Sequence, residues 1–285
     1  MLFLGDKQMS ILEDYKLSQE EHDQVFREIE WNTLTNIKSK RSPTIVIVGG
    51  QPGSGKSTLI NHYRNILFKD EDVCIINGDE LRRYHPQSDI ILSLFEKKYA
   101  EITDLDVRVW TKRLFDLAVD KNTNIIFEGT LRTTQICDTI KRLYNKGYKV
   151  IVSPMAVPFI ISIYSIYNRY MRDKQENGQA RFVPFSSHNE SYFRMIDTLR
   201  EIVREKNYDK IEVFGRVFGY EKIKCKTDDE VPKQIKRYRS KKLSIISQRK
   251  LKQLARILII ELRKMGEEEV LSGFLRAFRK WENSI

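Results

Sequence analysis

The sequence predicts an α/β fold, a mostly parallel sheet flanked by helices with a basic helical extension at its C-terminal end. Three observations carry this. Apolar runs of buried-strand type alternate with segments of helical spacing between residues 44 and 175, an order that calls for right-handed crossovers above a parallel sheet. A glycine-rich bend, "GGQPGSGKST", joins the first run to the first helical segment. Residues 221–285 hold 18 Lys and Arg against 9 Asp and Glu, whereas the preceding residues hold 32 against 30, so the net charge of +11 belongs mostly to the extension.

Each element has its own signal. Ser18 with Glu21 forms a capping-box pattern that opens a helix over 18–38, with Val25, Phe26, Ile29, Trp31 and Leu34 on its apolar side. "KSKRSP" ends it, and the β-branched run Thr44–Val48 reads as a buried strand. Ser57–Phe68 is helical, "DVCIINGD" is a second strand, and Glu80–Tyr84 starts another helix. Residues 90–121 read as helix, "TNIIFEG" as a third strand, Gln135–Asn145 as helix, "GYKVIVSPMAV" as a fourth strand and 158–175 as helix. "DKIEVFGRVFGYEKIKC" looks like two short strands around a glycine turn. In the extension, Leu251, Leu254, Ala255, Leu258, Leu262 and Met265 recur at helical spacing between basic residues. They suit a helix packed on the body with a solvated basic face; a nucleic-acid or membrane arm is the lesser reading. The expected division is a body of residues 1–220 and an extension of 221–285.

Composition limits the function classes. With 285 residues, 41% hydrophobic, the chain can bury one sizeable core. The odd, widely spaced cysteines Cys74, Cys137 and Cys225 suit neither a disulfide framework nor a zinc site, and His22, His62, His85 and His188 show no metal-ligand spacing. "MLFLGDKQMS" is too poor in apolar residues for a signal-peptide core, and the longest apolar run, "LARILIIEL", is interrupted by charge. The expectation is a soluble, cytoplasmic protein without a membrane partner.

The bend carries the chemistry. Gly50-Gln51-Pro52-Gly53-Ser54-Gly55-Lys56-Ser57 satisfies the phosphate-loop pattern in full, and Thr58 follows it. Glycines at 50, 53 and 55 are expected to take positive φ and let the backbone approach phosphates. Successive N–H groups and the following helix N-terminus then make an anion site. Lys56 would reach the β/γ-phosphates of ATP and the Ser57 hydroxyl would ligate Mg²⁺. No Asn-Lys-x-Asp sequence occurs, which disfavours a GTPase switch.

An acceptor side is also legible. Asp79, just past the second strand, lies at the sheet edge where α/β folds bind ligands. It reads equally as an N-cap for the next helix or as a carboxylate receiving a hydroxyl proton. Glu128 and Thr130 close the third strand, an acid there facing Mg²⁺ or substrate. Arg132 could hold an anionic group or lie on the surface. Arg169 and Arg181 flank "YMRDKQENGQA", a polar stretch read as a lid, from which they could neutralise charge on a transferring phosphoryl group.

"GGQPGSGKST", "NGDELRRYHP", "IIFEGTLRT" and "MAVPFIISIYSIYNRY…QAR", in that order within residues 40–215, resemble the zeta toxins of bacterial epsilon/zeta toxin–antitoxin systems. The resemblance implies a P-loop kinase-like fold and an ATP- and Mg²⁺-dependent kinase. Its acceptor would be the 3′-hydroxyl of the amino sugar in UDP-N-acetylglucosamine, and its product could not feed peptidoglycan synthesis. It also implies Lys56 as the phosphate-loop lysine, Asp79 as the catalytic aspartate, and Glu128, Thr130 and Arg132 as substrate residues. Arg169 and Arg181 become the arginines on the ATP phosphates, and a small helical antitoxin the implied partner. One departure stands out: Lys112 falls where the family carries a substrate-binding glutamate. Asp104, Asp106 or Asp116 could serve in its stead, or the acceptor differs.

Overall fold

In the computed structural model, residues 14–284 are described; the opening stretch weighed above as a leader lies outside them. The chain runs α1 (Gln19–Leu34), β1 (Thr44–Gly49), α2 (Lys56–Ile66), β2 (Cys74–Asn77) and α3 (Gly78–Leu81), with a 3₁₀ turn at Arg82–Tyr84. There follow α4 (Ser88–Phe95), α5 (Tyr99–Ile102), α6 (Asp104–Asp120), β3 (Ile125–Gly129), α7 (Gln135–Asn145), β4 (Lys149–Ala156) and α8 (Phe159–Asn177). The last part holds α9 (Phe185–Glu205), β5 (Lys210–Ile211), β6 (Val213–Arg216), β7 (Tyr220–Ile223), α10 (Val231–Ser240), α11 (Ile245–Lys264) and α12 (Glu268–Glu282).

The sheet order is β2-β3-β1-β4-β6-β7, with β5 pairing to β4. Every pairing is parallel except the β6–β7 hairpin, the two strands expected around the glycine turn. Because side chains alternate across a strand, an apolar run buries both faces at once. In β1, Ile45 and Ile47 enter one core while Val46 and Val48 enter the other. The first core is roofed by α1, α6, α7, α9 and α10, the second by α2, α8, α11 and α12. Side chains on both sides of residue 220 thus share the same cores. The stripe Leu251, Ala255, Leu258 and Leu262 is fully buried, its helix packed on α8 and α12, while Arg249, Lys250, Arg256 and Arg263 stay exposed.

Local chemistry explains most boundaries. The Ser18 hydroxyl accepts from the Glu21 N–H, and Glu21 reaches back to the Ser18 N–H, completing the capping box. Helix 90–121 is a correction: it is broken into α4, α5 and α6. The guanidinium of Arg82 donates to the Ala100 carbonyl (2.8 Å), an acceptor that a continuous helix would have used, and to the Thr103 hydroxyl (2.7 Å). The stretch read as a lid is helical in its first part. α8 continues to Asn177 and is stopped by Gly178 in the left-handed region (φ 73°), so Arg169 stands on a helix and only residues 178–184 are irregular. Among the described residues no helix is long and apolar enough to cross a membrane.

Candidate active site

The parallel strands deliver their C-terminal ends to one edge. β1 runs into the phosphate loop, β2 into Asp79 and β3 into Glu128. Register places Val48 and Asn77 on either side of Glu128. A cleft of about 1560 Å³ opens there, lined by Pro52, Gly53, Gly55, Lys56, Ser57 and Thr58 and by Asp79, Glu128, Thr130, Arg132, Arg169 and Arg181. Gly50, Gln51 and Ser54 are buried beneath the loop instead.

Gly53 and Gly55 have φ of 74° and 93°, but Gly50 does not take positive φ, contrary to the expectation above. Space is tight at Gly50 instead: a Cβ there would lie 2.6 Å from Ser54 Oγ and 3.0 Å from Met155 Cβ. At Gly53 a Cβ would meet the Ser162 carbonyl oxygen at 2.2 Å. Gly53→Ala should therefore cost at least the left-handed penalty of about 1–2 kcal/mol. A lowered melting temperature together with weakened ATP binding would check it; an unchanged pair would contradict the packing described.

Lys56 opens α2 and folds over its own loop, donating to the Gly50 carbonyl (3.0 Å) and facing Glu128 Oε1 (3.4 Å). The other carboxylate oxygen of Glu128 is buried without a hydrogen-bond partner, as is Ser54 Oγ. A buried carboxylate oxygen without a partner, lining the same cleft as Ser57, fits a divalent cation whose remaining ligands are phosphate and water.

Asp79 is not the helix cap. Asn77 takes that role, its side chain accepting from the Asp79 N–H at 3.0 Å, which leaves the Asp79 carboxylate free to face the cleft. It pairs with Arg181 and, at 3.3 Å, with Arg82. Burial pushes its pKa up, but Arg181, then Arg82 and Lys56, outweigh burial and hold the carboxyl well below the usual carboxylate range. Asp79 is therefore ionised at neutral pH, though half open to the cleft. Arg169 projects from α8 into the cleft with no hydrogen bond or ion pair among the described residues, and burial and the charge of Arg181 lower its pKa.

Thr130 and Arg132 are aimed by a strained residue between them. Leu131 takes φ 52°, uncommon for a side chain of its size, and packs where a Cβ on Gly49 would otherwise stand. Arg132 pairs with Glu190 (3.3 Å) at the cleft rim. Farther along, Lys112 is 80% exposed and bonded to Asp116 (2.6 Å), which also accepts from Arg142 (3.0 Å). Asp104 lines the same end and pairs with Arg82 and Arg108. Asp106 does not: it is buried between His22 and His85, at 3.0 and 3.7 Å.

Two contributors escaped the sequence reading. Arg216 from β6 donates to the Gly53 carbonyl and to Ser165 Oγ, both at 2.7 Å, and the Tyr220 hydroxyl donates to the Gly55 carbonyl at 2.8 Å. The hairpin thus straps the phosphate loop from outside. "FGRVFGYEK" signals a hairpin, but nothing in it signals the loop it meets.

A model of the family described as Zeta toxin matches residues 29–268. The chain belongs to the zeta toxin family. The match extends beyond the stretch that carried the resemblance, reaching through α11 of the basic extension. Among curated zeta toxins, "Toxin zeta" of Enterococcus hirae is 30% identical over 184 residues, 63% of either chain. "Toxin PezT" of Streptococcus pneumoniae is 29% identical over 181 residues, 63% of this chain and 71% of the relative. The alignment thus spans less than two thirds of the first of these relatives. In fold, a chain from the PezAT chromosomal toxin–antitoxin system of S. pneumoniae superposes with a TM-score of 0.70 at 21% identity, covering 89% of this chain and 98% of that one. A chain of the AvrRxo1-ORF1:-ORF2 complex with ATP superposes with a TM-score of 0.55 at 13% identity, covering 79% and 73%.

Proposed function

We propose that this protein is an ATP- and Mg²⁺-dependent cytoplasmic kinase. It phosphorylates the 3′-hydroxyl of the amino sugar of UDP-N-acetylglucosamine or a related nucleotide sugar, as the toxin of a toxin–antitoxin pair. The observation that carries this is the placement of an ionised aspartate, Asp79, between the phosphate loop and a second, polar end of the same cleft. A phosphoryl donor needs the first surface and an alcohol acceptor the second. Family membership supports the toxin role, the PezAT neighbour supports an antitoxin partner, and the ATP-bound AvrRxo1 chain supports ATP as the nucleotide.

The loop N–H groups and Lys56 hold the donor's phosphates; Arg169 and Arg181 spread positive charge over the group in transfer. Ser57 and Glu128 would hold Mg²⁺, which would supply neutralising charge for the phosphoryl group in transfer. Thr130 and Arg132 bind the acceptor. Asp79 accepts the hydroxyl proton. Its depressed basicity is tolerable because a loose transition state needs alignment more than early deprotonation. As Arg181 turns toward phosphate, Asp79 loses its strongest ion pair and its basicity rises, so the two events are linked.

Incubation with ATP, Mg²⁺ and a mixture of nucleotide sugars, read by mass spectrometry with Asp79→Ala as control, tests this. The expected result is a one-phosphate mass gain on UDP-N-acetylglucosamine, absent with the variant. A gain on a different sugar would move the substrate, and Lys112 with Arg142 would be the first residues to explain it. No gain on any sugar while ATP still binds would favour another acceptor, a further small molecule or a polynucleotide end. The rim cations Arg108, Lys112, Arg132 and Arg142 suit a polynucleotide end.

A further inference from the structure

α10 has the sequence VPKQIKRYRS, and its buried stripe runs Val231, Ile235, Arg239, four residues apart. A guanidinium therefore stands where the helix would continue its apolar face. Arg239 is 7% exposed. It donates to Gln51 Oε1 at 2.9 Å and to the Tyr192 carbonyl, lies over the Tyr192 ring at 4.3 Å, and approaches Met195 Sδ at 3.7 Å. Its Nε has no partner. No carboxylate among the described residues bonds to it, and burial lowers its pKa to about 10, so it is charged at neutral pH.

A buried cation without an anion is costly, and packing alone would be better served by a leucine or methionine here. What it touches is the phosphate loop. Gln51 is fully buried and bridges the two: its amide nitrogen donates to the Val157 carbonyl (3.4 Å) and Ser162 Oγ (3.3 Å), its oxygen receives Arg239. Ser162 Oγ in turn meets His188 Nε2 at 2.8 Å, and burial pushes His188 down to about 4, so it stays neutral. Arg239 is thus the one charged member of a buried network pressed against the inner side of the loop.

We propose that Arg239 is a positioning residue of the phosphate loop whose counter-charge is the nucleotide polyphosphate on the loop's outer side. The proposal rests on the nucleotide reading given above. The protein interior screens this charge poorly, so it acts on bound phosphates through the loop. It also makes the C-terminal extension part of the nucleotide site.

The test is calorimetric titration of ATP into the full chain and its Arg239→Lys, Arg239→Gln and Arg239→Met variants, with thermal melts lacking nucleotide and steady-state kinetics. Gln and Met should weaken ATP binding by roughly 10- to 100-fold, and Lys, which keeps the charge, by about threefold or less. Turnover at saturating ATP should change by less than about twofold; Met should melt lower than wild type, because Gln51 Oε1 and the Tyr192 carbonyl lose their donor, so affinities are compared at a temperature where every variant is folded. Wild-type ATP affinity in Gln and Met would overturn the proposal. So would equal losses in Lys, Gln and Met, since these mark hydrogen-bond geometry, and not charge, as the role. Absence of ATP binding by wild type would instead remove the nucleotide reading itself, and the proposal with it.

Discussion

Asp79→Asn should lower phosphoryl transfer by about 10²–10⁴-fold, the usual contribution of a positioned base, while ATP binds at least as tightly as to wild type. The second half of that expectation comes from the ion pairs. Arg181 and Arg82 both lean on the Asp79 carboxylate, and a neutral asparagine releases Arg181 for phosphate. Turnover and nucleotide affinity should thus move in opposite directions. Single-turnover rates and ATP titrations on the same preparation measure both. Lost turnover accompanied by lost ATP affinity would mean that Asp79 holds the cleft together and does not act on the acceptor.

Removing residues 231–285 should abolish cooperative folding. Ile235, Leu251, Leu258, Leu262 and Phe274 are fully covered, and each roofs a core whose floor is the central sheet. At about 1.5–3 kcal/mol for each large apolar side chain, these five amount to roughly 7–15 kcal/mol. That matches the whole stability of an ordinary domain, about 5–15 kcal/mol. Circular dichroism with a thermal melt is the check. A truncated chain with a sharp transition and wild-type ATP affinity would show the extension to be a separate appendage.

The parts legible in the sequence are those whose signal is local. The phosphate loop needs consecutive residues, the strands need short β-branched runs, and the capping box needs two side chains three apart. Asp79 and Glu128 follow because each lies within two residues of a strand end. Which residue caps the helix was not legible, since Asn77 and Asp79 are both good caps and only geometry shows that Asn77 bonds it. α9 is poorly legible because its aromatic and polar residues blur the helical stripe, although Met195, Ile196, Leu199 and Ile202 bury well. Arg216, Tyr220 and Arg239 could not be found at all. Their role comes from contact with residues 51–55, more than 160 positions away, and an arginine in a basic stretch looks like any other until its burial is known.

Coupled transfer is the most direct measurement. With UDP-N-acetylglucosamine present, ADP should form only when the sugar is present, and one phosphate should appear on the sugar for each ADP released. ADP formed at the same rate with or without any acceptor, and no phosphorylated sugar, would contradict it.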